Sequence, residues 1–407
     1  MIVMNPTYAE FGSKFTAALK PFATVKPQGT SSTAPFGIMD TQQLLQAKFE
    51  QTWLVENVLV KGQPAVLGGA QKTLKTSISI DLAVSLATGT PFLGKFAVGK
   101  VWKVLMLSAE SGGATLRTTL QRVCTSKDIA DHRLPSLHWG FHVPSLSNTV
   151  QLKQLEDFIR RYQIDVVVID PLYLCLCDQK QSAQAGNMFS MGPLLAALAK
   201  ACQISGATPV VIHHTRKQAT GKAVWTKFDP PELEDLAFSG VQQFFRQWLL
   251  IGRREPYDSE TGKHALWFTY GGSAGQSDTW ALDVSEGRMD GQFGNRRWKV
   301  RLRTRLQLTE ETKMAKAQKQ AEQQRQNIDD AVKEVTRLLQ EAPQPLTLSD
   351  LKDNMKVGKS RLDEALQWLL DRSQVVCAKV KKRAGRGERN YDAFSWSQMS
   401  SSPRAES

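Results

Sequence analysis

The chain has 407 residues, 41% apolar and 22% charged, a length that exceeds one ordinary domain and leaves room for a substantial core. Its 52 lysines and arginines against 39 acids give a net charge of +13, which favours a polyanionic partner such as nucleic acid or an acidic membrane surface. Five scattered cysteines without paired C-x-x-C knots argue against a disulfide framework and a zinc ribbon, and no apolar run approaches the roughly 20 residues of a membrane helix, so a soluble cytoplasmic protein without an export signal is expected.

Residues 1–48 are rich in Thr, Ser, Pro and Ala; the part from 26 to 37 lacks periodicity and reads as a flexible arm. From Trp53 onward, short apolar runs alternate with amphipathic helical stretches, the pattern of a parallel sheet covered by helices. A strand over 64–67 leads through a Gly-containing loop into a helix over 76–88. A strand over 101–107 ends in Ser108, Ala109 and Glu110, a helix follows around 116–123, and another strand lies near 137–143. After a helix over 151–162 comes DVVVID at 165–170, apolar and β-branched without alternation, as a central strand buried on both faces requires. Cys175 and Cys177 then lie on one side of an extended segment and read as free thiols beside a strand end rather than as a metal pair. A helix over 191–202 precedes a strand over 208–213.

Beyond Gly240, strands over 247–252, 265–270, 279–284 and 297–303 are joined by Gly, Asp and Ser-rich turns, an antiparallel extension of the same sheet. The fold class is therefore α/β, with one such domain over 49–308. Residues 309–326 are rich in Lys, Gln and Glu and form a solvated helical connector. An apolar stripe returns at Ile328, Val332, Val335 and Leu339 and opens a second domain over 327–397: three helices, then strands over 375–380 and 391–396, with a tail at 398–407 expected to be disordered. This order resembles a winged helix-turn-helix domain.

The segment GGAQKTLKTS places Gly69, Lys75 and Thr76 at the positions of G-x-x-x-x-G-K-[ST], with Ala70, Gln71, Lys72, Thr73, Leu74 and Ser77 completing the loop and helix start. Backbone N–H groups and the helix N-terminus hold phosphate oxygens, the lysine reaches the β- and γ-phosphates, and the hydroxyl completes a Mg²⁺ shell. Leu74 stands where the pattern has its second glycine, which puts the conformation of the loop in question. Asp170, closing its strand, can hold Mg²⁺ through a water, and Glu110 can orient the attacking water.

Lys75-Thr76, SAE ending at Glu110, the Asp170 strand and a strand ending in His213-His214 resemble the RecA-like ATPases of the KaiC, RadA and DnaB group. DLAVSLATGTPFLGKF after the loop is similar to the AAA_25 branch, which includes the hexameric replicative helicases of broad-host-range plasmids. The resemblance covers about residues 50–305. It implies ATP and Mg²⁺ as cofactors, a homo-oligomer, expected as a six-membered ring, with ATP between subunits, Glu110 as the catalytic glutamate, Asp170 as the Walker B aspartate, and His213 or His214 as the polar sensor of the γ-phosphate. Arg246 is the nearest match to an arginine finger acting in trans, with Arg253 and Arg254 competing for that role. The expected activity is a DNA-dependent, helicase-like motor of a mobile element, phage or plasmid; the alternative is a nucleotide-gated DNA-binding switch.

In the C-terminal domain, Lys359 and Arg361 lie on the third helix beside Asp363 and Glu364, so its exposed face is mixed in charge. Lys381, Lys382, Arg383, Arg386 and Arg389 cluster with two glycines in the hairpin loop, suited to a phosphate backbone. Single-stranded DNA is the expected partner of the protein, and this domain is expected to bind DNA or, instead, to recruit a replication protein.

Overall fold

A computed structural model describes residues 38–129, 134–176, 188–216, 228–288, 296–355, 358–384 and 387–397, without the side chains of 188–190, 383, 384 and 387. The arm at 26–37, Cys177, Arg386 and the tail at 398–407 lie outside the described residues, as does the side chain of Arg383. The chain divides into two units, at Leu306/Gln307.

The first unit opens with a short helix inside the span read as leader, α1 (Thr41–Gln46), fixed by a reciprocal capping box between Asp40 and Gln43 and burying none of its residues. The hairpin β1 (Trp53–Val55) and β2 (Leu59–Val60) follows. In chain order then come β3 (Ala65–Gly69), α2 (Lys75–Thr88), β4 (Val104–Ser108), α3 (Gly113–Ser126), β5 (Leu137–Gly140), α4 (Thr149–Tyr162), β6 (Val166–Asp170), α5 (Met188–Gln203), β7 (Thr208–His214), α6 (Ser239–Phe244) and β8 (Gln247–Arg253). The antiparallel strands are β9 (Lys263–Gly272), β10 (Ser277–Ser285) and β11 (Lys299–Thr304). They form one nine-stranded sheet in the order β11-β10-β9-β8-β3-β7-β6-β4-β5, parallel from β5 to β8 and antiparallel beyond.

The inner parallel strands β3, β4, β6 and β7 are buried on both faces because each supplies apolar side chains at successive positions, whereas the edge strand β5 buries only Leu137. Val166 and Val168 pack with Ile78, Leu82 and Val123 of α2 and α3, while Val167 and Ile169 pack with Leu152, Ile159 and Leu195 of α4 and α5. β5 stops at Gly140, short of the expected end, and Phe141 beyond it is exposed. Within the α2–α3 layer the buried carboxylate of Asp81 is fully engaged: it accepts from the Leu93 N–H at 2.9 Å and the Trp298 indole at 2.7 Å, and pairs with Lys127 at 3.1 Å. α2 is thereby tied to the segment that enters β11.

α7 (Arg305–Glu341) is one uninterrupted helix whose first two residues close the first unit and whose remainder opens the second, running through the charged stretch 309–326 into the residues of the apolar stripe. No Gly or Pro lies between 305 and 341, and the Lys, Gln, Glu and Ala content favours helix throughout. Then come β12 (Leu346–Thr347), α8 (Leu348–Asn354), α9 (Lys359–Asp371) and the hairpin β13 (Val375–Ala384) with β14 (Gly387–Trp396), paired in the order β12-β14-β13. Their core is Val335, Leu339, Leu351, Leu362, Leu366, Leu369 and Phe394. Among the described residues, no helix is long and apolar enough to cross a membrane, and Cys124, Cys175, Cys202 and Cys377 form no disulfide.

Candidate functional site

The loop between β3 and α2 is held tight by small residues and short bonds. A Cβ at Gly69 would stand 2.6 Å from the Ile251 carbonyl and 2.8 Å from the Thr73 hydroxyl, so only glycine lets β8 and the loop approach so closely. The Ala70 carbonyl accepts from the Thr73 hydroxyl at 2.8 Å and from the Lys75 ammonium at 2.7 Å. Leu74 takes φ +63°, ψ 23°, the left-handed conformation that glycine adopts without strain, at a cost of roughly 1–2 kcal/mol. Its side chain packs against the α2–α3 core, which offsets part of that cost. The departure at Leu74 thus changes the residue and keeps the backbone form a glycine would take.

Three strand ends converge beside this loop. The Thr76 hydroxyl donates to Asp170 Oδ2 at 2.7 Å. Ser108 faces Asp170 across β4 and β6, and the Ala109 N–H donates to the Asp170 carbonyl at 3.0 Å, which sets Glu110 next to the aspartate with its side chain exposed. Burial pushes the Lys75 ammonium down to about 8, against the pull of Asp170 and Glu110. Burial likewise raises the Asp170 carboxyl to about 6; the Thr76 bond opposes this, the Glu110 charge adds to it, and Lys75 opposes it. Each group senses the others' charge, which is the electrostatic mark of one shared site.

The two histidines separate by strand alternation. His213 lies with Val211 on the α5 side, 2% exposed, where Nε2 donates to the Ala237 carbonyl at 2.9 Å. Burial drives it down to about 4, the carbonyl bond and its neighbours acting second, so it is neutral at ordinary pH. His214 lies with Ile212 on the face of α2, beside Gly69 in register; burial and then Lys75 lower it while Glu110 raises it. Of the two, His214 is the one placed to sense a group between Lys75 and Glu110.

The three arginines also divide. Arg253, at the end of β8 nearest the loop, donates to the Lys72 carbonyl at 2.8 Å and braces the loop of its own chain. Arg254 is paired with Asp283 at 2.5 Å and also with Glu255. Arg246 precedes β8 at its opposite end and is exposed; with Ala65 level with Gln247 and Gly69 level with Ile251, it stands about 17 Å from the loop along the strand direction. It cannot reach the nucleotide loop of its own chain.

A magnesium nucleotide fits what is present. Thr76 and Asp170 supply the hard oxygen donors that Mg²⁺ prefers, and the buried Ser108 hydroxyl beside them lacks a hydrogen-bond partner among the described residues. That serine was not singled out from the sequence, although a hydroxyl closing the apolar run VLMLS is a readable signal. Loop amides at the N-terminus of the 14-residue α2, with Lys75, suit phosphate oxygens.

In the second unit Lys359 and Arg361 are exposed near the start of α9, whose outer face also carries Asp363, Glu364 and Asp371. Lys381 and Arg389 are exposed on the hairpin, whereas Lys382 is paired with Asp350 of α8 at 2.5 Å. That pair, with the Thr347 bonds, holds the Asp350 carboxyl down at about 2.

Residues 31–220 match the family model of an AAA domain, AAA_25, a span that contains the loop, Glu110, Asp170 and both histidines. No curated protein matches the chain.

Proposed function

On the premise of a nucleotide-hydrolysing P-loop ATPase of the RecA-like group, we propose that the chain is a DNA-dependent motor of the replicative-helicase type, working as a ring-shaped homo-oligomer of six copies, the number its resemblance implies. The observation that carries this reading is the division of the site: Lys75, Thr76, Asp170 and Glu110 meet at one end of the sheet, while Arg246 is exposed at the other. A finger at that position serves the ATP of a neighbouring copy.

In this mechanism water attacks the γ-phosphorus of ATP and the bond to the bridging oxygen of ADP breaks. Glu110 accepts the proton of the attacking water, Lys75 and the N-terminus of α2 neutralise the phosphate oxygens, and Arg246 of the next copy stabilises the charge on the transferring group. Mg²⁺, held by Thr76 and by Asp170, supplies further neutralisation of the phosphates when bound. His214 reports the γ-phosphate to β7. The C-terminal unit is read as a winged helix-turn-helix, a reading supported by its order of helices and hairpin, with Lys359, Arg361, Lys381 and Arg389 as candidate phosphate contacts. Its mixed α9 face also suits a replication protein.

ATP-dependent displacement of a labelled strand, with Lys75→Ala as control, tests the reading. Displacement lost in the variant supports a motor. DNA binding that responds to nucleotide without any displacement leaves the second reading, a nucleotide-gated switch.

A further inference from the structure

The positive charge of the chain is not confined to the C-terminal hairpin, and the two units share it in proportion to their lengths. Of the net +13, the unit ending at Leu306 carries +10 and the unit from Gln307 +3. Within the first unit, residues 296–305 hold six cations and no acid.

Alternation along β11 sorts these cations. Trp298 is buried, and Val300 and Leu302 pack against the α2–α3 core, so Lys299, Arg301 and Arg303 point to the other face. Arg296 turns to the buried Glu286, at 3.0 Å. Arg297 reaches the Ser285 hydroxyl at 3.2 Å, on the β10 residue that faces Lys299. Arg305 lies 5.6 Å from the ring of Trp267, which shares a cross-strand row with Ala281 and Arg303. Lys263 joins the row of Ser285 and Lys299. The carboxylate of Asp283 is on this face too, and is shared by Arg254 and Arg303.

Cations thus occupy alternate positions at Arg297, Lys299, Arg301 and Arg303 along about 20 Å of chain at the sheet edge, and Arg305 opens α7 with an aromatic ring beside it. Edge strands often carry a charge that discourages pairing with other edges, but one lysine serves that purpose. A row of four on one face, of which Arg303 is paired with Asp283, with apolar residues on the other, is an electrostatic track.

We propose that this outward face of β9 to β11 binds the sugar-phosphate backbone of single-stranded nucleic acid, through residues distinct from those of the nucleotide site. The inference rests on the proposed function only in taking DNA as the polyanion. Cations in a row on a sheet, without groups aimed at base edges, give binding that is independent of sequence and steeply dependent on salt.

The test is fluorescence anisotropy of a labelled oligothymidylate with the full chain across a salt series, for the native protein and the Lys299→Gln/Arg301→Gln double variant. Both residues are exposed and remote from the nucleotide loop, so basal ATP hydrolysis is expected unchanged. The double variant is expected to bind about tenfold more weakly at moderate salt, with a log–log salt slope shallower by about 1.4. A Lys299→Arg/Arg301→Lys variant, which keeps the charge, should bind as the native protein does; if it loses binding equally, the effect is structural and the proposal is overturned. Native-like affinity and slope in the Gln variant overturn the proposal and leave the motor reading standing. No DNA binding by the native chain, or binding only to vesicles of anionic lipid, overturns both.

Discussion

The two halves of the nine-stranded sheet follow different rules. From β5 to β8 the strands run parallel and the inner ones are apolar on both faces, so polar chemistry gathers at their ends, where Asp170, Glu110 and His214 stand near Lys75. From β9 to β11 they run antiparallel and alternate: on the core side Glu286, just after β10, is locked by buried partners and Trp298, just before β11, holds Asp81 of α2, while cations line the other side. A strand that must be apolar on both faces confines function to its ends, whereas a strand with one free face can use its whole length. Substitutions in the first half should therefore alter rate and spare stability. In the second half, those in buried ion clusters should do the reverse.

The largest expected effect is that of Arg246→Ala, which should lower kcat by on the order of 10³-fold with an unchanged unfolding midpoint. Mixed with Lys75→Ala subunits it should regain measurable hydrolysis, because each partner supplies what the other lacks. A mixture no more active than its parts would break the assignment of this arginine to a neighbouring site.

Next comes Glu286→Gln, expected to cost about 3 kcal/mol of stability in denaturant unfolding with no change in kcat. Burial alone would raise this carboxyl, but the bond from His264 and the charges of Arg296 and Arg122 hold it at about 2 against an ordinary 4.5. A depressed carboxyl stabilises the fold above its unfolded value. The advantage of the native protein over the variant should thus be complete above pH 4.5 and vanish as the pH falls to about 2. A difference that persists at low pH would show that packing, not charge, sets the cost.

Trp298→Phe removes the indole donor to Asp81 while keeping most of the ring, and should destabilise by about 1.5 kcal/mol, read by the same unfolding curves. Smallest is Leu74→Gly: relief of the left-handed backbone offsets lost packing and a looser unfolded chain, so stability should move by less than about 1 kcal/mol. A larger loss would mean that the leucine side chain, rather than the backbone form, holds the loop.

Much of the parallel half was legible because its signals are local. DVVVID announces a strand buried on both faces, and the spacing of Gly69, Lys75 and Thr76 needs no distant residue to be read. The reciprocal cap of Asp40 and Gln43 was equally local, yet α1 fell within a stretch read as leader because composition outweighed it. Alternation along β7 could have told His213 from His214 once the facing cores were known. Arg253 on the Lys72 carbonyl and the cluster of Arg122, His264, Glu286 and Arg296 were not readable, since nothing local pairs residues so far apart in the chain. The end of the connector was also hidden, because 305–341 contains no helix breaker to mark one.

The measurement that bears most directly on the central claim is steady-state ATP hydrolysis with and without single-stranded DNA, for the native chain, Lys75→Ala and Glu110→Gln. The account predicts hydrolysis stimulated by DNA and abolished in both variants, with Glu110→Gln still binding ATP. Tight ATP binding by the assembled native protein without hydrolysis, in the presence or absence of DNA, would contradict it.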